Sequence, residues 1–288
     1  MSILVDGNTR VLIQGATGKQ GAYHTLKMME YGVAVAGGVT PGKGGHEIHG
    51  VPVFDTVAQA KRSIDFNASM ILVPPQGALD AALEAIDSKI PLIVLVTEFV
   101  PLHDTLKICT QAAAGKIRLV GPNTIGVISP GKSKVGIMPG FIYSRGSVGM
   151  ISRSGTLTHE IASNLTYRGV GQSTCICIGG DAVKGTGFVE ALELFRLDPE
   201  TDTVIIIGEI GGAGEEMAAS YIRKTKYPKK VIAFVAGATA PSGRRMGHAG
   251  AIISRGFGTA ESKSNSLKAA GAFVAKGLDD ILEQLIGS

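Results

Sequence analysis

One histidine, His248, stands in the setting of this sequence that is best suited to chemistry. Gly247 and Gly250 flank it, and Arg244 and Arg245 precede it. Glycines allow the backbone to approach a ligand closely because they have no Cβ atom, and guanidinium groups fit oxyanions such as phosphate. A histidine between them can act as an acid, a base or a nucleophile near neutral pH. The stretch therefore indicates a histidine that handles an anionic group, with a surface histidine on a glycine-rich turn as the alternative.

A carboxylate, Glu209, is the second candidate catalytic residue. It follows an apolar strand predicted over residues 203–208, and glycines surround it. The next strand is predicted over residues 231–236, and His248 lies a loop beyond it. Because consecutive strands of this kind can be neighbours, we expect Glu209 to accept a hydrogen bond from the imidazole, fixing its tautomer and raising its nucleophilicity. Helix capping is the alternative role for this carboxylate.

A run of hydroxyl-bearing residues joins a predicted strand to a predicted helix at residues 152–158. Ser152, Ser154, Gly155 and Thr156 are candidate phosphate- or substrate-binding residues there. Small polar residues cap a helix, and the first amides of the helix then favour an anion. Plain helix capping is the alternative.

A second region suited to phosphate lies near the amino terminus. Residues 15–21 follow the first predicted strand and open a helix, where free amides and the helix dipole favour an anion. The second strand leads into residues 37–45, which contain one cation, Lys43, and no acid to hold a ribose hydroxyl. This combination favours a nucleotide with a ribose phosphate, either NADP or coenzyme A (CoA). Residues 96–98 and Asn123 are expected to line the same crevice.

The composition limits the class of protein. The chain has 288 residues, of which 44% are hydrophobic, so it is long enough for one large or two medium domains. A net charge of +4 is too small and too dispersed to indicate nucleic-acid binding. Three cysteines argue against a disulfide framework, and none has partners at metal-ligand spacing, so we predict no metal site in this chain. No targeting or membrane-spanning segment is visible, and we expect a soluble, cytoplasmic protein without a membrane partner.

Short β-branched runs alternate with helical patterns along the chain, which predicts an α/β fold. Before a Gly/Pro-rich crossing, strands are predicted at residues 11–14, 33–39, 69–73, 92–97 and 118–120, and helices at 19–31, 77–88 and 103–114. After it, strands are predicted at 148–152, 173–178, 203–208 and 231–236, and helices at 158–168, 187–197, 214–224, 261–270 and 278–285. We therefore predict a first domain at 1–125, a connecting segment at 126–146 and a second domain at 147–288.

Taken together, these motifs are similar to a known family. Residues 15–21, 37–45, 121–123, 152–158, 179–181, 208–212 and 247–250 resemble, in order and across nearly the whole chain, the α subunits of succinate–CoA ligases. The resemblance implies an α/β fold with an amino-terminal Rossmann-type CoA-binding domain and a flavodoxin-like, doubly wound ligase domain. It also implies a role in the tricarboxylic acid cycle.

The resemblance also implies site residues and partners. CoA would be bound by Thr17, Gly18, Lys19, Gln20, Lys43, Val96, Thr97 and Glu98. His248 would be transiently phosphorylated, Glu209 would hydrogen-bond it, and Ser154 with its neighbours would hold the phosphate. A partner β subunit with an ATP-grasp domain would bind ATP or GTP with Mg²⁺, in an αβ or (αβ)₂ heteromer. The phosphoryl group would pass from His248 to a small carboxylic acid, and the thiol of CoA would then displace phosphate.

Three positions depart from the family pattern. Thr124, His159 and Ala182 stand where Cys, Tyr and Pro are expected. Because position 159 corresponds to a contact with the acid, malate–CoA ligase and citryl-CoA synthetase stay open as alternatives of the same architecture. Two other classes are also weighed, a non-catalytic module that senses CoA or acyl-CoA and an NADP-dependent oxidoreductase. The retained histidine, carboxylate and phosphate loop favour the ligase over both.

Overall fold

Two mostly parallel sheets, each covered by helices, make up the protein. The computed structural model describes residues 2–241, 243–253 and 258–287. The strands of the first sheet are β1 Arg10–Gln14, β2 Ala34–Val39, β3 Glu47–Ile48, β4 Val51–Phe54, β5 Ala68–Ile71, β6 Leu92–Leu95 and β7 Arg118–Val120. The helices around it are α1 Lys19–Glu30, α2 Val57–Ser63, α3 Ala78–Asp87 and α4 Leu102–Ala114. The predicted βαβ alternation is confirmed, while β3, β4 and α2 were not predicted.

The first sheet has Rossmann topology. Its strands lie in the order β3-β4-β2-β1-β5-β6-β7, and all of them are parallel except the short edge strand β3. From β4 to β7 this is the 3-2-1-4-5-6 order of a dinucleotide-binding fold. β5 and β6 are wholly buried and apolar at most positions, as expected when helices cover both faces of a parallel sheet. The order reverses at β1, so a crevice opens beyond the carboxyl ends of β1 and β5.

The second sheet has flavodoxin-like topology. Its strands are β8 Gly126–Ser129, β9 Ser133–Gly136, β10 Arg145–Ser152, β11 Gln172–Cys177, β12 Thr203–Glu209, β13 Lys230–Ala236 and β14 Phe273–Ala275. The helices are α5 Gly155–Tyr167, α6 Phe188–Leu197, α7 Gly214–Thr225, α8 Ala260–Ala269 and α9 Leu278–Ile286. The five parallel strands lie in the order β11-β10-β12-β13-β14, the 2-1-3-4-5 order of flavodoxin-like proteins. Cys175 and Cys177 face one core together, as their alternation predicts.

The segment at 126–146 is more than the connection that its composition indicates. β8 and β9 form an antiparallel pair, and β8 extends the second sheet by pairing antiparallel with β11. The glycines of this segment allow the two strands to approach closely, because a Cβ atom on Gly126 would lie 2.1 Å from the carbonyl oxygen of Val135. The high glycine content of this segment is not typical of strands, and β8 and β9 were therefore not predicted. The division of the chain into functional domains stays a prediction.

The two sheets are packed against each other through the end of α1. Tyr31, the residue after α1, accepts a hydrogen bond from the backbone N–H of Gly131 at 3.1 Å. Its ring lies over Gly140, where a Cβ atom would be only 2.2 Å from the ring. One continuous cluster of buried side chains includes residues of both sheets, among them Val11 and Ile151. The carboxyl ends of the two sheets consequently face a common cleft.

Candidate active site

A cleft of about 600 Å³ lies between the carboxyl ends of the two sheets. Loops of both halves line it, and most of the residues predicted from the two halves of the sequence meet there. The predicted site residues on its wall are Gln20, Val96, Thr97, Glu98, Asn123, Gly155, Thr156, His159 and His248. Residues that are far apart in sequence are thus brought to one place.

The imidazole of His248 is held by the carboxylate of Glu209. Nδ1 of His248 lies 2.6 Å from Oε2 of Glu209, as predicted from the order of the strands. β12 and β13 are adjacent and parallel, and Glu209 pairs with Ala236 at their carboxyl ends. The hydrogen bond to Glu209 raises the pKa of His248 above its ordinary value, although partial burial opposes the effect. Among the described residues no hydrogen bond engages Nε2, so this is the ring nitrogen available to the cleft.

The loop that carries His248 depends on glycines at its contacts. A Cβ atom on Gly180 would lie 2.5 Å from Cγ of His248, so the ring packs directly on the backbone. The N–H of Gly250 donates to the carbonyl of Gly180 at 3.2 Å. Gly211 has a φ of +87°, and a Cβ atom there would lie 2.0 Å from the carbonyl oxygen of Gly250. Larger residues at Gly180 and Gly211 would therefore displace the histidine.

The guanidinium in this site belongs to Arg153. Its Nη2 lies 3.2 Å from Oε1 of Glu209, and its Nη1 donates to the carbonyl of Gly211 at 2.9 Å. Arg153 is buried, whereas Arg244 and Arg245, the arginines that the sequence drew attention to, are exposed. Arg153 lies inside the 152–158 motif, but nothing in the sequence pairs it with Glu209. Only the adjacency of β10 and β12 reveals this contact.

The amino end of α5 faces the cleft opposite the histidine loop. Ser154 is its N-cap and accepts a hydrogen bond from the N–H of Leu157 at 3.3 Å. The hydroxyl of Ser152 is fully buried and donates to the carbonyl of Ser154 at 2.8 Å, so it shapes the loop from beneath. Gly155 and Thr156 lie on the cleft wall. The first turn of α5 carries no acidic residue, which leaves its positive end available for an anion.

The loop between β1 and α1 has the geometry of an anion-binding turn. Gly18 occupies the N-cap position of α1, and no side chain caps the helix. Gly18, Lys19 and Gln20 are exposed, and the N–H of Thr17 donates to the hydroxyl of Thr40 at 3.3 Å. A Cβ atom on Gly21 would lie 2.0 Å from the carbonyl oxygen of Gly15, so this turn requires a glycine. The uncapped amides are free to bind a phosphate.

Other predicted CoA contacts surround this turn. Thr97 donates its hydroxyl hydrogen to the carbonyl of Val73 at 2.7 Å, and Glu98 is exposed at the cleft. Lys43 is exposed on the loop that follows β2, outside the cleft itself. Asn123 donates from Nδ2 to Asp181 at 2.9 Å and so joins the two halves. The ligand contacts of these residues stay predictions.

Comparison with known families gives one match in each half of the chain. Residues 6–99 match the family model described as CoA binding domain, and residues 151–273 match the model described as CoA-ligase. The chain is 55% identical over 276 residues to a succinate–CoA ligase [ADP-forming] subunit alpha 2 of Archaeoglobus fulgidus, covering 96% of each chain. It belongs to the family of succinate–CoA ligase α subunits.

Further relatives of this family support the assignment. The subunit alpha of Methanothermobacter thermautotrophicus succinate–CoA ligase [ADP-forming] is 53% identical over 283 residues, which is 98% of this chain and 96% of the relative. The corresponding subunit alpha of Aquifex aeolicus is 51% identical over 276 residues, which is 95% of this chain and 90% of the relative. Malate–CoA ligase and citryl-CoA synthetase are not favoured by these names. The match to CoA-binding and CoA-ligase models likewise does not favour an oxidoreductase.

Solved structures show the same fold. An ATP citrate lyase of Methanothrix soehngenii, determined with citrate and coenzyme A, superposes with a TM-score of 0.88 at 22% identity. The match covers 96% of this chain and 49% of that one, so the chain spans about half of the solved chain. Within the part of the chain that the structure describes, no helix has the length and apolarity to cross a membrane.

The three departures from the succinate–CoA ligase pattern lie in or beside the site. Thr124 lines the cleft, and its hydroxyl donates to the carbonyl of Cys177. His159 also lines the cleft, and the ring of Tyr143 approaches it edge-on with centroids 6.3 Å apart. Burial lowers the pKa of His159, and its Nε2 has no hydrogen-bond partner among the described residues. Ala182 is exposed on the rim of a neighbouring cavity of about 280 Å³.

Proposed function

We propose that this chain, with a partner β subunit, catalyses the reversible formation of succinyl-CoA from succinate, CoA and a nucleoside triphosphate, and that His248 carries the phosphoryl group. The observation that carries the proposal is the position of His248. Held by Glu209, it borders the same cleft as Gln20 of the first phosphate-binding turn and Thr156 of the second. A phosphoryl group on this histidine is therefore within the space that also receives the thiol and the acid.

The residues divide the chemistry into three displacements. Glu209 keeps the proton on Nδ1, so that the lone pair of Nε2 attacks the terminal phosphorus of the nucleotide, and the bond to the bridging oxygen breaks to release the diphosphate. A carboxylate oxygen of the acid then takes the phosphoryl group from Nε2, which gives an acyl phosphate. The thiolate sulfur of CoA attacks the acyl carbon, and inorganic phosphate leaves with the electron pair. This route turns a carboxylate, a poor electrophile, into a good one.

The amino end of α5 supplies the electrostatic part of this proposal. Gly155 and Thr156 stand on the cleft wall at the positive end of the helix dipole, and no acidic side chain in the first turn weakens it. A fixed dipole of this kind stabilises charge that moves during transfer without having to reorganise. Ser154 preserves this end of the helix by capping it.

The nucleotide site is assigned to the partner. Residues 126–133 match the G-x-x-x-x-G-K-[ST] pattern, but they form the antiparallel pair β8 and β9 and lack the strand–loop–helix setting of a phosphate-binding loop. The name of each relative describes it as one subunit. We therefore place ATP and Mg²⁺ on a β subunit with an ATP-grasp domain, in an αβ or (αβ)₂ heteromer. The relatives are named ADP-forming, which supports ATP over GTP. A cytoplasmic location and a role in the tricarboxylic acid cycle belong to the same proposal.

A thioester assay tests the function. The chain is co-expressed with its β subunit and supplied with ATP, Mg²⁺ and CoA, with succinate, malate and citrate in parallel reactions. We expect succinyl-CoA as the main product. A main product from malate or citrate would change the proposed acid but not the phosphohistidine, and tight CoA binding without any thioester would instead support a sensing module.

A matched variant tests the histidine itself. His248→Asn should lose labelling by ATP carrying γ-³²P by about 10³-fold or more, since the nucleophile is gone, while CoA binding is retained. The complex of the unaltered chain provides the reference for both measurements. Labelling of the variant at the unaltered level would show that another residue accepts the phosphoryl group.

A further inference from the structure

We propose that Glu215, in the first turn of α7, is a positioning residue. It fixes Arg153 and the backbone of Glu209, and so controls the electrostatic environment of the His248 imidazole. The inference rests on the proposed function of His248 as the phosphoryl acceptor. Glu215 touches neither the imidazole nor the cleft described above. It acts through Arg153 and through the backbone of Glu209.

Glu215 is fully buried, and both oxygens of its carboxylate have polar partners. Oε1 accepts from the backbone N–H of Glu209 at 3.1 Å and from Nη1 of Arg153 at 3.2 Å. Oε2 pairs with the ammonium of Lys263, which is also fully buried. Gly208 makes room for this side chain, because a Cβ atom there would lie 2.7 Å from its Cγ. The carboxylate of Glu215 is thus hydrogen-bonded directly to the backbone of Glu209, the residue that contacts the imidazole of His248.

The orientation of Arg153 shows what Glu215 does. The well-aligned hydrogen bonds of its Nη1 go to Glu215 and to the carbonyls of Gly211 and Glu209. Nη2 contacts the carboxylate of Glu209 at 3.2 Å as an ion pair, and Oε1 of Glu209 accepts no hydrogen bond from the described residues. Glu215 therefore holds Nη1 of Arg153, and the guanidinium contacts the carboxylate of Glu209 only through Nη2, as an ion pair to Oε1. Oε2 of Glu209 therefore keeps its hydrogen bond with Nδ1 of His248.

The charges of the network explain the effect on the histidine. Arg153 and Lys263 are positive, and Glu209 and Glu215 are negative, all within a buried cluster in which an unpaired charge is costly. The charged groups that bear on His248 are Glu209 from β12, Arg153 after β10 and Asp181 after β11. A third cation of the cluster, Lys184, interacts electrostatically with all of these groups and with Glu215, and burial lowers its pKa to about 8. Without the charge of Glu215, the positive charge of Arg153 and Lys263 is no longer balanced. The site then becomes more positive, and the protonated imidazole becomes less stable.

Titration of His248 measures this effect without any phosphorylation. The full chain is labelled at histidine, the imidazole signals are followed by NMR as pH changes, and His248→Asn assigns the signal. Glu215→Gln keeps the shape and an acceptor but removes the charge, and we expect it to lower the pKa of His248 by about 0.5 to 1 unit. Lys263→Met removes a cation instead, and we expect the pKa of His248 to rise.

Glu216→Gln provides a closely matched control. Glu216 is the next residue of α7 and lies 3.5 Å from the same Lys263, but no contact joins it to Arg153 or Glu209 among the described residues. We expect it to change the pKa of His248 by less than about 0.2 unit. An equal shift in Glu215→Gln and Glu216→Gln would mean that only the total charge matters, and would overturn the positioning role.

Two further outcomes decide the proposal. If Glu215→Gln folds but leaves the pKa of His248 unchanged, the contacts of Glu215 are structural and the proposal is wrong. If Glu215→Gln does not fold, Lys263→Met and the double variant Glu215→Gln, Lys263→Met carry the test, and the pKa of His248 should be lower in the double variant than in Lys263→Met alone. Because no nucleotide or β subunit is present, failure of phosphorylation and failure of this inference are separate observations.

Discussion

The two ligand-facing loops at the carboxyl ends of the sheets are built in opposite ways. The turn after β1 presents backbone amides and exposed side chains, with Gly18 uncapped at the start of α1. The loop that carries His248 is held from below by buried charged side chains, Arg153, Glu209, Glu215 and Lys263. The first loop suits the proposed binding of an anion that exchanges with solvent. The second loop holds the imidazole of His248 through the contact of Nδ1 with Glu209.

This difference follows from what each loop has to control. A bound phosphate needs donors at the correct distance, and helix amides provide these without any ionisable group. A nucleophilic imidazole needs a defined proton on one nitrogen, and only a fixed hydrogen-bond acceptor can provide that. Side-chain changes should therefore have large effects beneath His248 and small effects around the first turn, where backbone changes should matter most.

The largest effect is expected at Glu209. Glu209→Gln should slow phosphorylation of the αβ complex by about 10²- to 10³-fold, because the tautomer of His248 is no longer fixed. In the unaltered complex we expect the rate to fall as pH falls through the raised pKa of His248, since an imidazolium cannot attack phosphorus. In the variant this acid limb should move to lower pH. The rate of γ-³²P transfer against pH measures both, and Glu160→Gln on the exposed surface of α5 is the control.

Gly21→Ala should break the first turn through its backbone. The added Cβ atom would lie 2.0 Å from the carbonyl oxygen of Gly15. We expect CoA to bind about 10- to 100-fold more weakly, and Tm to fall by about 3 to 10 °C, as for an overpacked site. Gly7→Ala, where nothing lies within 4 Å, should change neither quantity. Calorimetry of both variants checks this, and unchanged CoA affinity in Gly21→Ala would count against the turn as the CoA site.

A smaller effect is expected from the exposed cation at the same end of the sheet. Lys43→Ala should weaken CoA about three- to tenfold, as for a solvent-exposed ion pair. Binding of 3′-dephospho-CoA should be unchanged, because it lacks the phosphate that Lys43 is predicted to contact. Equal losses for both ligands would argue against that contact.

The smallest effect concerns the choice of acid. His159→Tyr should change the ratio of kcat/KM for succinate, malate and citrate by at most about tenfold, because one pocket contact at the lower end of its range is worth about 1 kcal/mol. Steady-state rates of the αβ complex give the ratio. An unchanged ranking would remove His159 from the acid pocket and leave the phosphohistidine unaffected.

Most of the parallel strands and most helices could be predicted from sequence because each carries its own signal, whereas the short parallel strands β4 and β14 were not predicted. Apolar runs such as β6 are buried at every position, and the residues that end them fall naturally at the cleft. The pairing of His248 with Glu209 was predictable for the same reason, since both follow consecutive strands that proved to be neighbours.

The features that were missed depend on contacts between distant segments. β8 and β9 were not predicted because they contain glycines, which are untypical of strands but allow these two strands to approach each other closely. Arg153, Glu215 and Lys263 carry no local signal, because their buried ion network is defined only when the loop after β10 and the helices α7 and α8 are assembled. A charged residue in a helical pattern reads as solvent-facing, yet Glu215 and Lys263 are fully buried.

The antiparallel pair that precedes β10 has a consequence for dividing the molecule. β11 lies inside the second sheet because β8 covers its outer edge through residues Gly126 to Ile128. A fragment that starts at residue 147 lacks this cover and leaves the backbone groups of the buried strand β11 open to other chains. Such a fragment should self-associate, whereas one that starts near residue 123 keeps its edge closed. We therefore expect the segment at 126–146 to protect the second sheet from self-association by pairing β8 with the edge of β11.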